Sequence, residues 1–280
     1  MKNKNAGIEY AYLNYGRYYD RYFNMFIKLV NGRFRYFNLP NEIPAENIER
    51  FLTQYGQILL FRVVGNKFGA YNFTSLGNID IYGYPLKRMV TFANGKRLRF
   101  NNTNSVIIYN NSMHTPDLLT ISSYSAQLAQ LDEAIDVNLR SCKTPIIFKG
   151  NKKQLQSMQK IYNRIDNNDP ALFVYSDNNL IDNIEVLDLK ATYRGNEFYL
   201  TKKNLLEEAF KTLGFYIPNE KAERLIIDEV AANNSITDAA RYDMLKMRQK
   251  GLKIFNDMFK DFLPEPVYVD YSGDGKEGLN

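Results

Sequence analysis

Near the N-terminus the apolar positions fall three and four residues apart, at Tyr15, Tyr18, Tyr22, Phe26 and Leu29. That spacing places them on one helical face. Tyr10, Tyr12, Tyr19 and Phe23 widen the stripe, and Asn31-Gly32 supplies a stop. The plain reading is a helix packed on a core. The sharper one is an aromatic surface buried in part against a neighbouring subunit. A short helix is expected after Pro44, running to Tyr55-Gly56, with Ile48, Phe51, Leu52 and Tyr55 turned inward.

The texture then changes to short runs of β type. Residues 57–64, 67–73, 78–84, 89–92 and 105–109 are separated by Gly65-Asn66, Gly77-Asn78 and Asn94-Gly95, which read as turns. Residues 57–110 are therefore expected to form a small antiparallel β module. A long helix should start at Thr115-Pro116-Asp117, where Thr can cap, Pro suits the first helical position and Asp suits the positive end of the helix dipole. Its stripe is Ile121, Tyr124, Leu128, Leu131 and Ile135. Residues 143–198 read as a compact α+β insert with strands at 144–148, 171–175 and 183–189. A helix marked by Leu155, Met158, Ile161, Tyr162 and Ile165 falls between the first two strands.

Three further helices are predicted, at 201–213, 218–232 and 238–262. The last carries Ala240, Met244, Met247, Gly251, Phe255, Met258 and Phe262 at steps of three and four. Between the second and third lies a polar loop, Ala232, Asn233, Asn234, Ser235, Ile236 and Thr237, whose Ser235-to-Asp238 spacing resembles a capping box. The Gly-rich, acidic residues after Pro264 are expected to be a disordered tail. The fold class is α+β.

Composition narrows the chemistry. Among 280 residues there is one Cys, Cys142, and one His, His114, so neither an internal disulfide nor a His- or thiolate-based zinc site is expected. No P-loop, dinucleotide fingerprint or serine-nucleophile elbow is present. No apolar run has the length of a membrane-spanning helix and the start is no signal peptide, so a soluble protein with no membrane partner is expected. With 21 Tyr, 18 Phe and no Trp, the aromatics suit wet interfaces as well as cores.

Thirty-six basic against 31 acidic residues give +5, too mild to name a partner; the distribution says more. Lys87, Arg88, Lys96, Arg97 and Arg99 lie in a stretch without acids. Lys143, Lys149, Lys152, Lys153, Lys160 and Arg164 form a second such run, and Lys202, Lys203 and Lys211 follow near a helix start. Solvated lysines would explain any one cluster. Three clusters favour a polyanion, be it DNA, RNA or an acidic protein, and a nucleic acid would be contacted through its backbone without regard to sequence. A competing pattern is Asp117, Asp188 and Lys190, which imitates a magnesium-dependent nuclease. A basic adaptor that binds nucleic acid or acidic protein without forming a ring is a further alternative.

The order helix, β module, long helix, α+β insert, helix, polar loop, helix resembles that of phage portal proteins. The strings Val106-Ile107-Ile108-Tyr109-Asn110-Asn111, Lys143-Thr144-Pro145, Gln159-Lys160-Ile161-Tyr162-Asn163, Leu213-Gly214 and Asp228-Glu229-Val230 are similar, in the same order, to those of the portal (upper collar) proteins of φ29-like short-tailed phages. The similarity runs from Tyr10 to Phe262.

This resemblance implies a non-enzymatic head–tail connector in the virion, at one capsid vertex, with no cofactor. It would form a dodecameric ring whose channel carries double-stranded DNA, packed by a separate ATPase and later ejected. Partners would be the major capsid and scaffolding proteins, the packaging ATPase and a lower collar or tail protein. On this mapping 1–56 and 57–110 form the wide, capsid-facing part, and 111–142 is a channel-lining stem helix. Residues 143–198 form the narrow-end clip, and 199–231 the next stem and wide-region helices. Residues 232–237 are a loop into the channel, with Arg241 just beyond, followed by the helix 238–262 and the tail 263–280. Lys202, Lys203 and Lys211 would then face the channel, and Lys149, Lys152 and Lys153 the motor. The φ29-type protein engages a packaging RNA through a more basic N-terminal arm. The arm here, residues 1–5, is short and weakly basic, and that partner stays open.

Overall fold

The computed structural model describes residues 6–63, 67–143, 146–150, 156, 171–175, 185–188, 192–216 and 227–272. Its elements are, in order, α1 (Ala6–Asn31), β1 (Phe34–Phe37), α2 (Ala45–Tyr55), β2 (Gln57–Val63), β3 (Lys67–Tyr71), β4 (Thr74–Ser75), β5 (Lys87–Thr91), β6 (Arg97–Asn101), β7 (Ser105–Tyr109) and α3 (Asp117–Lys143). There follow β8 (Ile146–Gly150), β9 (Ala171–Tyr175), β10 (Glu185–Asp188), α4 (Gly195–Thr212), α5 (Ile227–Phe259), a short 3-10 turn (Lys260–Phe262) and β11 (Tyr268–Tyr271). The chain divides into two compact units. One comprises Met1–Tyr19 with Gln127–Asn204, the other Asp20–Ala126 with Leu205–Asn280.

In the larger unit β2 lies between β3 and β7, both antiparallel to it, and β4-β5-β6 form a second antiparallel sheet. The β2 run Ile58, Leu59, Leu60 and Phe61 is buried at every position, which explains its unbroken apolar sequence. Ile58 and Leu60 join Val106, Ile108, Ile48, Leu52 and Phe255 in the main core, beneath α2 and α5. Leu59 and Phe61 face the other way and pack with Val90 and Phe100 of the second sheet. α5 crosses β7 so closely that a Cβ at Gly251 would lie 2.7 Å from Ile108 Cγ1, so glycine is needed at this crossing. Among the described side chains of α1, Tyr22, Phe26 and Val30, four apart, are buried; Leu29, expected on that face, is exposed. Tyr55 is likewise exposed at the end of α2.

In the smaller unit β8 is central, parallel to β9 and antiparallel to β10. The three strands expected in the 143–198 insert are therefore found. The helix expected around residues 155–165 lies almost wholly outside the described residues, as does the Gly65-Asn66 turn.

Four expectations are corrected. Residues 78–84 form a turn closed by a single Ile79–Pro85 bridge rather than a strand, because Asp80 accepts backbone N–H groups from Tyr82 and Tyr84 at 2.9 and 2.8 Å. The missing strand is β6, concealed in the sequence by its three polar outward positions, Arg97, Arg99 and Asn101. Residues 263–272 are not a disordered tail: Val267, Val269 and Tyr271 alternate with exposed residues and are buried, and β11 pairs antiparallel with β1. Finally, residues 232–237 do not form a loop. They lie within the continuous helix α5, where no Gly or Pro interrupts 227–250 and where Thr237 is buried at 2% exposure.

Candidate functional site

α4 carries the three lysines expected at a channel, and its geometry separates them. Each helical residue turns by about 100°, so Lys202 and Lys211, nine positions apart, lie on opposite sides. Lys203, Glu207 and Lys211 instead form a row at steps of four, and all three are half-buried. Lys202 Nζ donates to Asp132 Oδ1 of α3 at 2.6 Å, and Asp132 is buried. The trio therefore does not converge: Lys202 joins α4 to α3, while Lys203 and Lys211 share a side. Nearby in the same unit Asn138 stitches the approach to α4. Its Nδ2 donates to the Thr192 carbonyl at 3.1 Å, and its Oδ1 accepts from the Arg194 N–H at 3.2 Å. Tyr18 of α1 donates to Asp136.

Of the expected channel residues on α5, Ser235 is exposed and Thr237 buried. Arg241 is held by aromatics, its guanidinium 4.3 Å from the Tyr216 ring centroid and 3.7 Å from that of Tyr271. Tyr216 donates to Asp238, and Tyr271 to the Arg241 carbonyl. Arg241 thus fastens α5 to β11 and to the end of α4. Lys149 lies on β8; Lys152, Lys153 and Lys190 lie outside the described residues, and Asp188 is on β10.

Asp117 is buried and already paired with a cation, the Arg33 guanidinium. Its Oδ2 accepts from Arg33 Nη2 at 2.7 Å and its Oδ1 from Asn110 Nδ2 at 2.8 Å, with both Arg33 and Asp117 buried. This pair opens a network that sequence reasoning missed. Arg33 Nη1 donates to the Leu213 carbonyl at 2.6 Å. Arg248, with no exposed surface, donates Nε and Nη2 to the two oxygens of Glu49 at 2.8 Å each, and bonds the carbonyl and side chain of Asn110 at 2.9 Å. Tyr36 donates to Glu49 at 2.6 Å. The signal was present: Arg248 sits between Met244 and Gly251 on the apolar stripe of α5, and Glu49 between Ile48 and Phe51 on that of α2. Opposite charges each set into a core-facing stripe point to a partner.

Burial holds two phenols neutral. Tyr109 is pushed up to about 12 by desolvation, and Tyr36 well above its ordinary value by burial and then by the Glu49 carboxylate. Unfolded phenols ionise near ~10. Above that pH the unfolded chain gives up protons that the folded chain keeps, so stability falls as pH rises. Between pH ~10 and ~12 the fall should approach about 1.4 kcal/mol per pH unit for each such tyrosine. Denaturant midpoints measured across this range should drop, and Tyr109→Phe should flatten part of the decline.

Large apolar side chains also reach the surface. On α3, Val137 and Leu139 are exposed, and on or beside α4, Tyr193, Tyr199 and Leu200 are exposed by more than half. Among the described residues no helix is long and apolar enough to cross a membrane.

A family model described as Phage Connector (GP10) matches residues 4–261. The fold is similar to that of a chain in the portal and tail of native bacteriophage P68, with TM-score 0.52 and 16% identity over 99% of this chain and 93% of that one. A chain of the native gene transfer agent virion gives TM-score 0.48 at 12% identity, covering 91% and 80%. An HK97-family portal protein from Corynebacterium diphtheriae gives 0.46 at 14%, covering 90% and 92%.

Proposed function

The chain belongs to the phage connector (GP10) family, and from that premise we propose how it works. It is a portal, the head–tail connector at one vertex of a phage capsid. The observation that carries this is a family match over nearly the whole chain, joined to a fold shared with a portal and tail assembly. Copies of the chain form a ring, twelve by analogy with φ29-like portals. Double-stranded DNA enters through the channel under a separate ATPase and leaves through it on ejection. Capsid and scaffolding proteins meet one end, and a lower collar or tail protein the other. The chain supplies a conduit and no catalysis. The nuclease reading is set aside, because Asp117 spends both oxygens on Arg33 and Asn110.

The exposed apolar side chains of α3 and α4 support burial against neighbouring subunits. Lys203 and Lys211 are the channel contacts; a row that includes Glu207 holds phosphates weakly, which suits DNA that must slide. Within 232–237 the exposed Ser235 reaches the duplex from a helix rather than a loop, with Arg241 as a positioning residue beyond it. Lys149, Lys152 and Lys153 serve the motor-facing end.

Negative-stain imaging and native mass measurement of the purified protein should show closed rings, with twelve copies expected. A monomer under all conditions overturns the reading. Lys203→Ala with Lys211→Ala should leave rings intact and change how assembled particles retain or release DNA. Lys202→Ala should instead lower stability by about 0.5–1 kcal/mol through loss of the Asp132 pair, with DNA handling unchanged. The reverse pattern would mean that Lys202 is the channel contact.

A further inference from the structure

Between Lys67 and Pro116 the chain has five Lys and Arg residues and one acid, Asp80. Register and burial divide these cations into two kinds. Arg88 and Val90 of β5 point inward, as do Leu98 and Phe100 of β6. Arg88 is buried, donating to the Pro85 carbonyl at 3.1 Å, to the Ser105 carbonyl and hydroxyl at 3.0 and 3.1 Å, and to Asn102. It fastens the turn before β7 and lies on the inner side of the sheet. The opposite face of the same sheet carries Lys87, Met89 and Thr91 from β5, Arg97, Arg99 and Asn101 from β6, and Thr74 from β4. Lys87, Arg97 and Arg99 are exposed, and Lys96 is exposed in the adjoining turn. Among the described residues none of these four cations is paired with a carboxylate, and Asp80 is occupied with its own turn.

From this we infer that the outer face of the β4-β5-β6 sheet is a second nucleic-acid surface, which takes the phosphate backbone of duplex DNA without reading its sequence. The inference goes beyond the channel of the portal reading and uses none of its residues. An acidic protein partner would call for an apolar, aromatic centre. This face has only Met89 at its middle, ringed by guanidinium, ammonium, hydroxyl and amide donors, the set that contacts phosphates. Arg97 and Arg99, two positions apart on one strand, are about 6.7 Å from each other, close to the axial rise of two nucleotides along one DNA strand.

The test uses the assembled full-length protein and a random-sequence duplex of about thirty base pairs, with binding followed by fluorescence anisotropy across a salt series. Each phosphate contact contributes about 0.9 to the slope of log affinity against log salt. The triple variant Lys87→Gln, Arg97→Gln, Arg99→Gln should reduce that slope by about 2.7 and weaken binding at least about tenfold at low salt. Lys203→Gln with Lys211→Gln should leave this component in place. A second duplex of unrelated sequence should bind equally. Unchanged affinity and slope in the triple variant overturn the proposal. So does displacement of the duplex by poly-glutamate at equal charge, which would mark an acidic-protein surface. Loss of rings in the triple variant while the wild type forms them also overturns it, because the face would then be a subunit interface. Absence of rings in the wild type counts against the portal reading instead.

Discussion

Replacing Arg248 with Met should lower the unfolding free energy by about 3–5 kcal/mol, because it leaves the Glu49 carboxylate buried with no counter-charge. Arg248 has no exposed surface and satisfies two Glu49 oxygens, both acceptors of Asn110 and the Met244 carbonyl, with its guanidinium 3.9 Å from the Phe34 ring centroid. Loss of one partner therefore orphans several groups at once, and in a fold of ordinary marginal stability that is a large fraction of the total. The denaturant midpoint should fall at matched protein concentration, which matters for an oligomer. Pairing Arg248→Met with Glu49→Leu should recover part of the loss, since the unpaired charge is then gone. Strict additivity of the two single losses would show that the pair is not coupled.

Gly56→Ala is the second large effect. Gly56 ends α2 in the left-handed region, at φ 72°, and its N–H donates to the Leu52 carbonyl. A Cβ there would lie 2.5 Å from the His114 carbonyl oxygen, 2.8 Å from the Thr115 carbonyl carbon and 2.9 Å from the Pro116 nitrogen. All three are backbone atoms of the link into α3, so no side chain can swing aside. The conformation costs about 1–2 kcal/mol, and the overlap adds about 1–3 kcal/mol. Gly95→Ala separates the two contributions. Gly95 also has positive φ, 79°, but nothing stands near its missing Cβ, so only the conformational cost should appear. Equal losses at both positions would show that the α2–α3 approach is not tight.

Periodicity carried the reading of the elements whose signals are local. The 45–55 helix with its glycine stop, the all-buried β2 run and the three strands of the insert were legible because each depends on neighbours in the chain. The misreadings share a cause. Residues 78–84 contain Ile79, Ile81 and Tyr82, strand-like by composition, yet Asp80 offers the backbone a closer partner than any strand does. β11 reads as tail in the sequence because its partner, β1, lies more than 230 residues earlier. Residues 232–237 looked like a loop because asparagines disfavour helices, while the buried Thr237 and the helical residues beyond extend α5 through them.

The candidate site divides in the same way. Sequence alone determined that this is an α+β chain with an acid-poor, basic β module, a lysine-bearing helix and a family resemblance along most of its length. The first three are written in composition and spacing, and the resemblance rests on the order of elements and on short strings such as Val106–Asn111. Only the tertiary structure decided which cations are available. Arg88 and Arg99 look alike in the sequence, but strand parity buries one in the Asn101–Ser105 turn and leaves the other facing outward. Lys202 and Lys203 are adjacent, yet about 100° apart around α4, and Lys202 turns to Asp132. Arg248 and Glu49 were ordinary helix charges until the fold set them 2.8 Å apart. Charge is a property of the residue, but its availability depends on burial and on the partner the fold brings to it.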